Sequence, residues 1–409
     1  MLRIIGIANK CYNYCVSYRL NYYGVLMKKG LIALMFGGVG IGLTEFVMAG
    51  LLPDLVSHLK ISVPVAGHLI SNYALGVVVG APIIVLAAGK VPPRKLLIIL
   101  MAIFTIFNGL SALAPNYHVL LITRFLSGIP HGAYFGVGAV VASRMAKRGM
   151  ESRAVAVMFS GLTLANLIGV PIGTYIGHYY SWRYTFLLIT LIGIITMLSL
   201  KAWLPFFEST KPKRIKHELL FFSHLDSWII ITFVSIGTAG LFAWVSYIAP
   251  LLIGITHFNP NLISYIMAIA GVGMVVGNIL GGKLADKYLP SNTILCSLLL
   301  MVISLIITHY VAPYKIISLI MIFMTGVIAF SLAAPIQILM IRSAKGSELL
   351  AASVVHGAFN IGNALGAFLG GLPLIYGFNY DSPQLVGAGM AFVGAMVVIL
   401  LKYLYKNIY

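Results

Sequence analysis

Residues 31–53 read LIALMFGGVGIGLTEFVMAGLLP, and this apolar stretch decides the fold. A run of about 20 apolar residues is long enough to cross the hydrocarbon core of a bilayer as a helix. Glu45 is the one acidic residue within the run. A charged group at the bilayer centre costs at least about 2.5–3.5 kcal/mol, a cost that packing alone does not explain. Glu45 is therefore the first candidate for proton or cation chemistry.

Similar stretches recur along the whole chain, which is 60% apolar and 9% charged, with a mean hydropathy of +1.00. This composition excludes a soluble globular protein. It predicts an all-α integral membrane protein with twelve transmembrane helices. The predicted spans are 30–53, 67–89, 95–114, 118–143, 153–178, 183–205, 228–256, 262–285, 292–312, 315–342, 349–375 and 384–404.

The basic residues that give the net charge of +18 are distributed as in a membrane protein and do not indicate a nucleic-acid interface. With a cytoplasmic N-terminus, 23 of the 27 lysines and arginines fall on the cytoplasmic side. Lys60, Arg183 and Lys315 fall outside, and Arg124 lies within a helix. The positive-inside rule accounts for this asymmetry, so both termini are predicted to be cytoplasmic. The lipid bilayer is the expected partner, and we expect no nucleic-acid partner.

An internal repeat divides the chain into two halves. Gly76 and Gly273 open similar segments, and NLIGVPIG from Asn166 matches NALGAFLG from Asn363, at the same offset of 197 residues. A constant offset across several helix pairs indicates duplication. We therefore predict two pseudo-symmetric six-helix bundles, 28–205 and 228–409, joined by a basic cytoplasmic linker, 206–227.

Residues 1–27 do not fit this pattern, because they have no long apolar core and no small-residue cleavage site. Two interpretations stay open for this N-terminal extension. Translation begins at Met27, just before Lys28 and Lys29, or the segment is a disordered or interfacial cytoplasmic tail.

Several motifs resemble those of the major facilitator superfamily, in its drug:proton antiporter branch of arabinose-efflux-permease-like transporters. They are Thr44-Glu45-Phe46, Arg124-Phe-Leu-Ser-Gly128-Ile-Pro130-His131-Gly132, Asn166 through Thr174, and Trp182-Arg183-Tyr184-Thr185-Phe186. The resemblance implies the major facilitator fold, with a substrate site between the halves and alternating access by rocking. It also implies a monomeric protein of the bacterial inner membrane that uses a proton gradient and is not an enzyme. We expect no cofactor, no catalytic residues and no metal, since no cluster has ligand spacing.

Glu45 and Arg124 are predicted to lie at one depth. Glu45 is eight residues before Pro53 and Arg124 six after His118, hence about 12 Å and about 9 Å below the outer surface. Opposite buried charges at one level invite pairing. Burial disfavours an ionised carboxyl and a guanidinium favours it, so a change of access would load or release a proton. A static ion pair is the alternative interpretation.

His131 lies seven residues after Arg124, on the same helical face. It is a candidate for relaying a proton or binding the solute. A hydrogen-bonded core histidine is the alternative.

Gly169, Pro171 and Gly173 resemble the antiporter signature of the fifth helix, from which Val170 departs. Close packing of small residues is the alternative reading. The loop signature of the superfamily survives in the second half, as Gly282 through Asp286 and Lys287, whereas Gly89 replaces the acid in the first half. Asp286 is predicted to form a cytoplasmic gate with Arg342 or Arg153; a solvated loop acid is the alternative.

The remaining candidates for a cavity are aromatic rings and amides on apolar helices, a lining that suits a small amphiphilic or sugar-like solute. We predict proton-coupled efflux of such a solute, with a facilitator or symporter for sugars or nucleosides as the alternative. A membrane enzyme or a structural subunit is a remote alternative. The candidates are Tyr73, Tyr134, Phe135, Asn166, Trp244, Tyr247, Asn278, Gln337 and Asn360.

Overall fold

The computed structural model describes residues 2–61, 63–87, 91–207, 219–259, 262–344 and 346–405, without side chains for 2–27, 49, 53, 63, 64 and 264. Within these ranges the chain forms helices and no strands. Gly89, Lys90 and most of the predicted linker (208–218) lie outside the described residues.

Twelve of the described helices are long and apolar enough to cross a membrane, which confirms the predicted fold class. The membrane-spanning part of the first helix is Lys28–Met48. The backbone is already helical from Leu2, although a disordered or interfacial tail was one of the two interpretations of this segment. The helices are α1 (Leu2–Leu59), α2 (Val63–Ala87), α3 (Pro93–Ala112), α4 (Tyr117–Met145), α5 (Glu151–Tyr179), α6 (Trp182–Trp203), α7 (Leu225–Gly254), α8 (Ile263–Tyr288), α9 (Pro290–Val311), α10 (Lys315–Ser343), α11 (Glu348–Ile375) and α12 (Ser382–Leu404).

Helix α5 changes its winding just before Pro171. A π-helical turn at Ala165–Gly169 joins Glu151–Leu164 to Val170–Tyr179. Pro171 occupies the first turn after it, where the missing proline N–H is easily accommodated. The irregular winding therefore lies just before the proline.

The repeat is visible in how the helices pack. A Cβ atom on Gly76 or Gly80 would meet backbone carbonyl oxygens of α4, at Phe125 and Ile129. Gly273 and Gly277 on α8 face carbonyl oxygens of α10 in the same way, at Phe323 and Val327. Small residues at these points let two helices approach closely. The repeated glycines thus build the same helix pair in both halves.

The two halves meet along α2 with α11, α4 with α11, and α5 with α8. We call the end of the bundle where α5 and α11 begin the inner end, which the charge pattern predicts to face the cytoplasm. Close contact there depends on glycine: a Cβ on Gly136 would lie 2.5 Å from the backbone nitrogen of Ser353. Gly282 on α8 would meet Ala156 and Ser152 on α5 in the same way.

Candidate functional site

Arg124 lies fully buried in the first half, held by neighbours on α1 and α2. Its Nη1 donates to the backbone oxygen of Thr44 at 3.0 Å and to the Thr44 hydroxyl at 2.9 Å. Its Nε donates to the Leu69 carbonyl at 3.4 Å, and its guanidinium lies 4.3 Å from the ring centre of Tyr73. The buried Nη2 has no hydrogen-bond partner among the residues that the structure describes. Arg124 therefore keeps one free donor edge for an anion.

Thr44 links Arg124 to a second buried polar residue. Its hydroxyl donates to Asn108 Oδ1 at 2.7 Å, and the Asn108 amide nitrogen donates to the Phe104 carbonyl. This places α1, α3 and α4 in one hydrogen-bonded network. Buried networks of this kind are rigid when their members are satisfied.

Glu45 follows Thr44 on α1 and keeps part of its surface accessible, unlike Arg124. Among the described residues, no cation lies within ion-pair distance of its carboxylate. Glu45 still interacts electrostatically with Arg124 and with Tyr73. The expected direct pair is wrong in this conformation, because Thr44 takes the guanidinium Nη1. The accessible carboxylate and the free Nη2 are thus separate, complementary groups.

Tyr73 joins the arginine to His131. Its ring lies beneath the guanidinium, and its hydroxyl oxygen is 3.0 Å from His131 Nδ1. Both side chains are buried. His131 therefore takes part in a polar contact one step from Arg124, as either donor or acceptor according to its tautomer.

A cluster of aromatic rings and imidazoles crosses from one half to the other beside His131. His356, on α11, stacks on Phe135 with ring centres 4.8 Å apart and on Phe159 at 5.8 Å. The ring centres of His131 and His356 are 5.7 Å apart. In the described part of the chain, the buried Nε2 of His356 has no hydrogen-bond partner. We call His131, His356, Phe135 and Phe159 the imidazole cluster.

Asp286 connects the halves at the inner end. Its carboxylate oxygens accept from the backbone nitrogens of Ser152 at 2.8 Å and Arg153 at 3.1 Å, and Arg153 Nε lies 3.3 Å away. The Met150 position before α5 supplies no side-chain cap. Asp286 therefore caps α5 from the other half, where the helix dipole favours a negative charge. Of the two predicted partners, Arg153 makes the contact.

Arg342 pairs with Glu151 instead, at 3.7 Å, so its predicted pairing with Asp286 is wrong. Lys287 lies over the ring of its neighbour Tyr288, at 4.7 Å from the ring centre. At the inner end, Asp286 of α8 thus holds the start of α5, and Arg342 and Glu151 form a separate, more exposed pair beside it.

Four predicted cavity residues are buried in packing contacts, and these assignments are corrected. Tyr134 packs against α1 and donates to the Leu34 carbonyl, and Trp244 lies in the core of the second half. Gln337 donates to the Ala352 carbonyl, between α10 and α11. Asn278 donates to the Ala156 carbonyl at 2.7 Å, across the two halves. Buried polar groups tend to find such partners, and composition does not reveal which helix supplies them.

The other predicted cavity residues differ in exposure. Asn166 and Asn360 donate to carbonyls one turn earlier in their own helices. Tyr247 is partly exposed and donates to the Ala367 carbonyl. Tyr73 and Phe135 belong to the Arg124 group and the imidazole cluster described above.

Gly169 and Gly173 face α1. A Cβ on Gly173 would lie 2.9 Å from a Val47 methyl group, and one on Gly169 would contact Leu43. Thr185 on α6 also donates to the Gly173 carbonyl at 2.7 Å. These residues bring α5, α1 and α6 together. Such close contact is what the alternative interpretation of the glycines, close packing of small residues, requires.

Sequence reasoning missed several members of these groups. The sequence predicted no separate role for Thr44, which lies within a motif. It predicted none for Asn108 either, although Asn108 is a polar residue inside an apolar helix. Ser353 and Phe159 carried no signal, because small and aromatic residues are common in such helices. The described residues include no group of three or more potential metal ligands.

The chain is similar to known membrane transporters over nearly its whole length. The family model described as Major Facilitator Superfamily matches residues 34–254 and 228–407. AraJ of Escherichia coli (strain K12), whose name describes a transporter, is 41% identical over 93% of this chain and 96% of its own length. The inner membrane transport protein YdhP of Escherichia coli O157:H7 is 39% identical over 90% of this chain and 95% of its own.

A more distant relative and a solved structure agree with this. The "Probable sugar efflux transporter" of Helicobacter pylori (strain ATCC 700392 / 26695) is 29% identical over 80% of this chain and 84% of its own. The structure of the proton:xylose symporter XylE superimposes with a TM-score of 0.77 at 15% identity, covering 95% of this chain and 97% of that one. At this identity the likeness concerns the fold.

Proposed function

The chain belongs to the Major Facilitator Superfamily of multi-pass membrane transporters, and from that premise we propose that it exports a small organic solute in exchange for protons. The proposed cellular location is the bacterial inner membrane with both termini in the cytoplasm. Transport would proceed by alternating access between the two halves.

One observation carries the proposal: the partly exposed Glu45 has no ion-pair partner among the described residues, while Arg124 beside it keeps a buried donor free. A membrane-embedded acid without a fixed partner can change its protonation as its access to water changes. A carboxylate locked in an ion pair would hold its charge in both conformations. The separation of the two groups therefore favours coupling over a static pair.

The roles of the two residues follow from this arrangement. Protonated, Glu45 is neutral and leaves Arg124 Nη2 without an anion. Deprotonated, it can turn toward that free edge, and the charge-assisted hydrogen bond would stabilise the anion. Binding of the solute and binding of the proton would then both depend on the charge balance between Glu45 and Arg124, so that one disfavours the other. Exchange requires such competition.

The solute class is proposed from names and from chemistry together. Relatives include a protein named as a sugar efflux transporter. Phe135, Phe159 and Tyr73 are buried in this conformation, and separation of the halves would expose aromatic rings near hydrogen-bonding groups, a combination suited to a neutral, hydroxyl-rich or amphiphilic solute.

The test is solute uptake into vesicles reconstituted with the full chain, under imposed pH gradients. Radiolabelled monosaccharides, nucleosides and small amphiphilic cations serve as probes. Exchange predicts accumulation when the vesicle interior is acidic, and symport predicts accumulation when the exterior is acidic. A facilitator would show neither. These signs hold for either orientation of the protein in the vesicle.

Glu45→Gln should abolish gradient-driven accumulation while leaving exchange of labelled for unlabelled solute. Asp54→Asn is the matched control, because Asp54 is an acid on the same helix beyond the span Lys28–Met48. Its flux should stay at the wild-type level. Gradient-driven accumulation by a folded Glu45→Gln protein would refute the proposed exchange mechanism.

A further inference from the structure

The two histidines of the imidazole cluster are the part of the interface that the proposed exchange at Glu45 does not use. Two histidines from opposite halves meet there, His131 from α4 and His356 from α11. We propose that they form a second proton-binding site, whose occupancy opens the inner end of the transporter. This inference rests on the proposed function, since it supplies the step by which bound protons drive the conformational change.

Geometry is the first argument. The His356 ring packs against both Phe135 and Phe159, with ring centres 4.8 Å and 5.8 Å away, and these two rings are themselves nearly parallel at 8° with centres 5.3 Å apart. Within the described part of the chain its buried Nε2 has no partner, although a buried imidazole nitrogen normally finds one. A second conformation that admits water would satisfy this atom. Separation of α4 from α11 would give water access to both imidazoles.

The energetic sign follows from what a proton would do in the closed cluster. An imidazolium at His356 would be a cation whose Nε2–H has no acceptor, 5.7 Å from a second imidazole. Attraction to the faces of Phe135 and Phe159 offsets part of this cost, but such contacts are weaker than the desolvation of an unpaired ion. Protonation therefore destabilises the closed interface.

The surroundings do not reverse this sign. Among the described residues, the titratable or charged groups near the cluster are Tyr73 on α2, Glu45 on α1, and Arg124 and Tyr134 on α4. Helix α5 faces His356 with Phe159, and α11 adds Phe359, neither of which titrates. Arg124 and Glu45 have opposite charges and both lie near Tyr73, so their effects on a proton in the cluster oppose each other.

The position of the cluster gives this destabilisation a direction. Gly132 and Gly136, on either side of Phe135, are the points where α4 touches α11. A Cβ on Gly132 would lie 3.4 Å from the His356 Cβ. Loosening the cluster therefore loosens this contact, and the inner end opens. Proton-loaded transporter would turn inward, release its protons to the cytoplasm and accept solute there, as an exporter requires.

The experiment measures opening of the inner end against pH. Spin labels at Lys147→Cys and Lys283→Cys, in a background with Cys11, Cys15 and Cys296 replaced by serine, report the distance between exposed positions of the two halves. Distances are recorded at about pH 7.5 and about pH 5.5, the range in which histidine titrates. The wild-type open population should rise on acidification, by up to about tenfold per pH unit for each proton taken up.

His356→Phe keeps the ring stack but removes the titrating group. The slope of the logarithm of the open population against pH should therefore fall to less than about half the wild-type slope. His356→Gln tests the same loss in a side chain that can hydrogen-bond, in case the phenylalanine variant folds poorly. His118→Phe, at an exposed histidine of the other end, should keep the wild-type slope.

Wild-type slopes in both His356 variants, or a wild-type protein whose distances ignore pH, would overturn the inference. The outcome is separable from that of the proposed function. If solute flux responds to the pH gradient but the His356 variants keep the wild-type slope, only the second proton site is refuted. If the distance between the labels depends on pH through His356 but solute flux does not respond to the gradient, only the exchange mechanism is refuted.

Discussion

Asp286→Asn tests the gate at the inner end. The Asp286 side chain is 1% exposed, and its carboxylate accepts from two backbone N–H groups at the start of α5. Hydrogen bonds to charged groups contribute about 1.5–3 kcal/mol each. An asparagine keeps one acceptor oxygen, but it turns an NH₂ group toward N–H donors and loses the attraction to the helix dipole. At least one charge-assisted bond is lost.

The ion pair with Arg153 adds little to this, because the Arg153 side chain is 43% exposed and exposed pairs contribute about 0–1 kcal/mol. We therefore expect the closed inner end to lose about 2–3 kcal/mol, which is roughly a 30- to 150-fold shift toward the open form. Solute flux should fall in proportion, since a transporter that rarely closes one end rarely completes its cycle.

The assay is the same distance between spin labels at positions 147 and 283, read at one pH. Asp286→Asn should move most of the population to the longer distance. Arg153→Ala should move it only slightly, because both backbone hydrogen bonds remain. Glu151→Gln, which removes the partner of Arg342, should also have a small effect. A closed distance distribution in Asp286→Asn would refute the assignment of Asp286 as the cap that closes the gate.

Two further substitutions address the packing around the site. Thr44→Val removes the hydroxyl that accepts from Arg124 and should lower the free energy of unfolding by about 1–3 kcal/mol. Thr44→Ser restores the hydroxyl, and equal unfolding temperatures for both variants in detergent would contradict this. Gly136→Val places atoms against the Ser353 backbone and should hold the inner end open, at a cost of about 1–3 kcal/mol to the closed form. Gly389→Ala, with no atom within 4 Å of its added Cβ, should leave the label distances unchanged.

The helices and their number could be predicted from the sequence because hydropathy over a bilayer's thickness is a strong, local signal. The repeat offset was equally readable. In the structure α3 and α9 begin at Pro93 and Pro290, and α5 and α11 begin at Glu151 and Glu348, both 197 residues apart. Such periodic features need no knowledge of which helices touch.

The orientation of individual polar side chains could not be predicted in this way. Asn278 and Gln337 are amides on apolar helices, and a cavity lining and a helix-to-helix hydrogen bond have the same sequence appearance. The pairing of Glu45 with Arg124 failed for a related reason. Depth fixes the height of two groups, whereas the Thr44 hydroxyl and carbonyl, which decide where the guanidinium points, are a matter of three-dimensional packing.

The duplication also shows how differently the two halves use polar residues. Adding 197 to the positions of the polar network in the first half reaches apolar residues in the second half every time. These counterparts are Leu241 for Thr44, Phe242 for Glu45, Ala270 for Tyr73, Leu305 for Asn108, Met321 for Arg124 and Ile328 for His131. Since both halves build the same helix pairs on the same glycines, the fold itself does not require the polar set.

Retaining a buried guanidinium and an embedded acid in one half therefore has a cost that the other half shows to be avoidable. The gate acid follows the opposite pattern, with Asp286 in the second half and Gly89 at its counterpart. The first half thus holds Glu45, Arg124 and their polar neighbours, and the second supplies the acid that caps α5 across the interface. His356 is the buried imidazole that the second half sets against His131, so a proton bound there is felt by both halves at once.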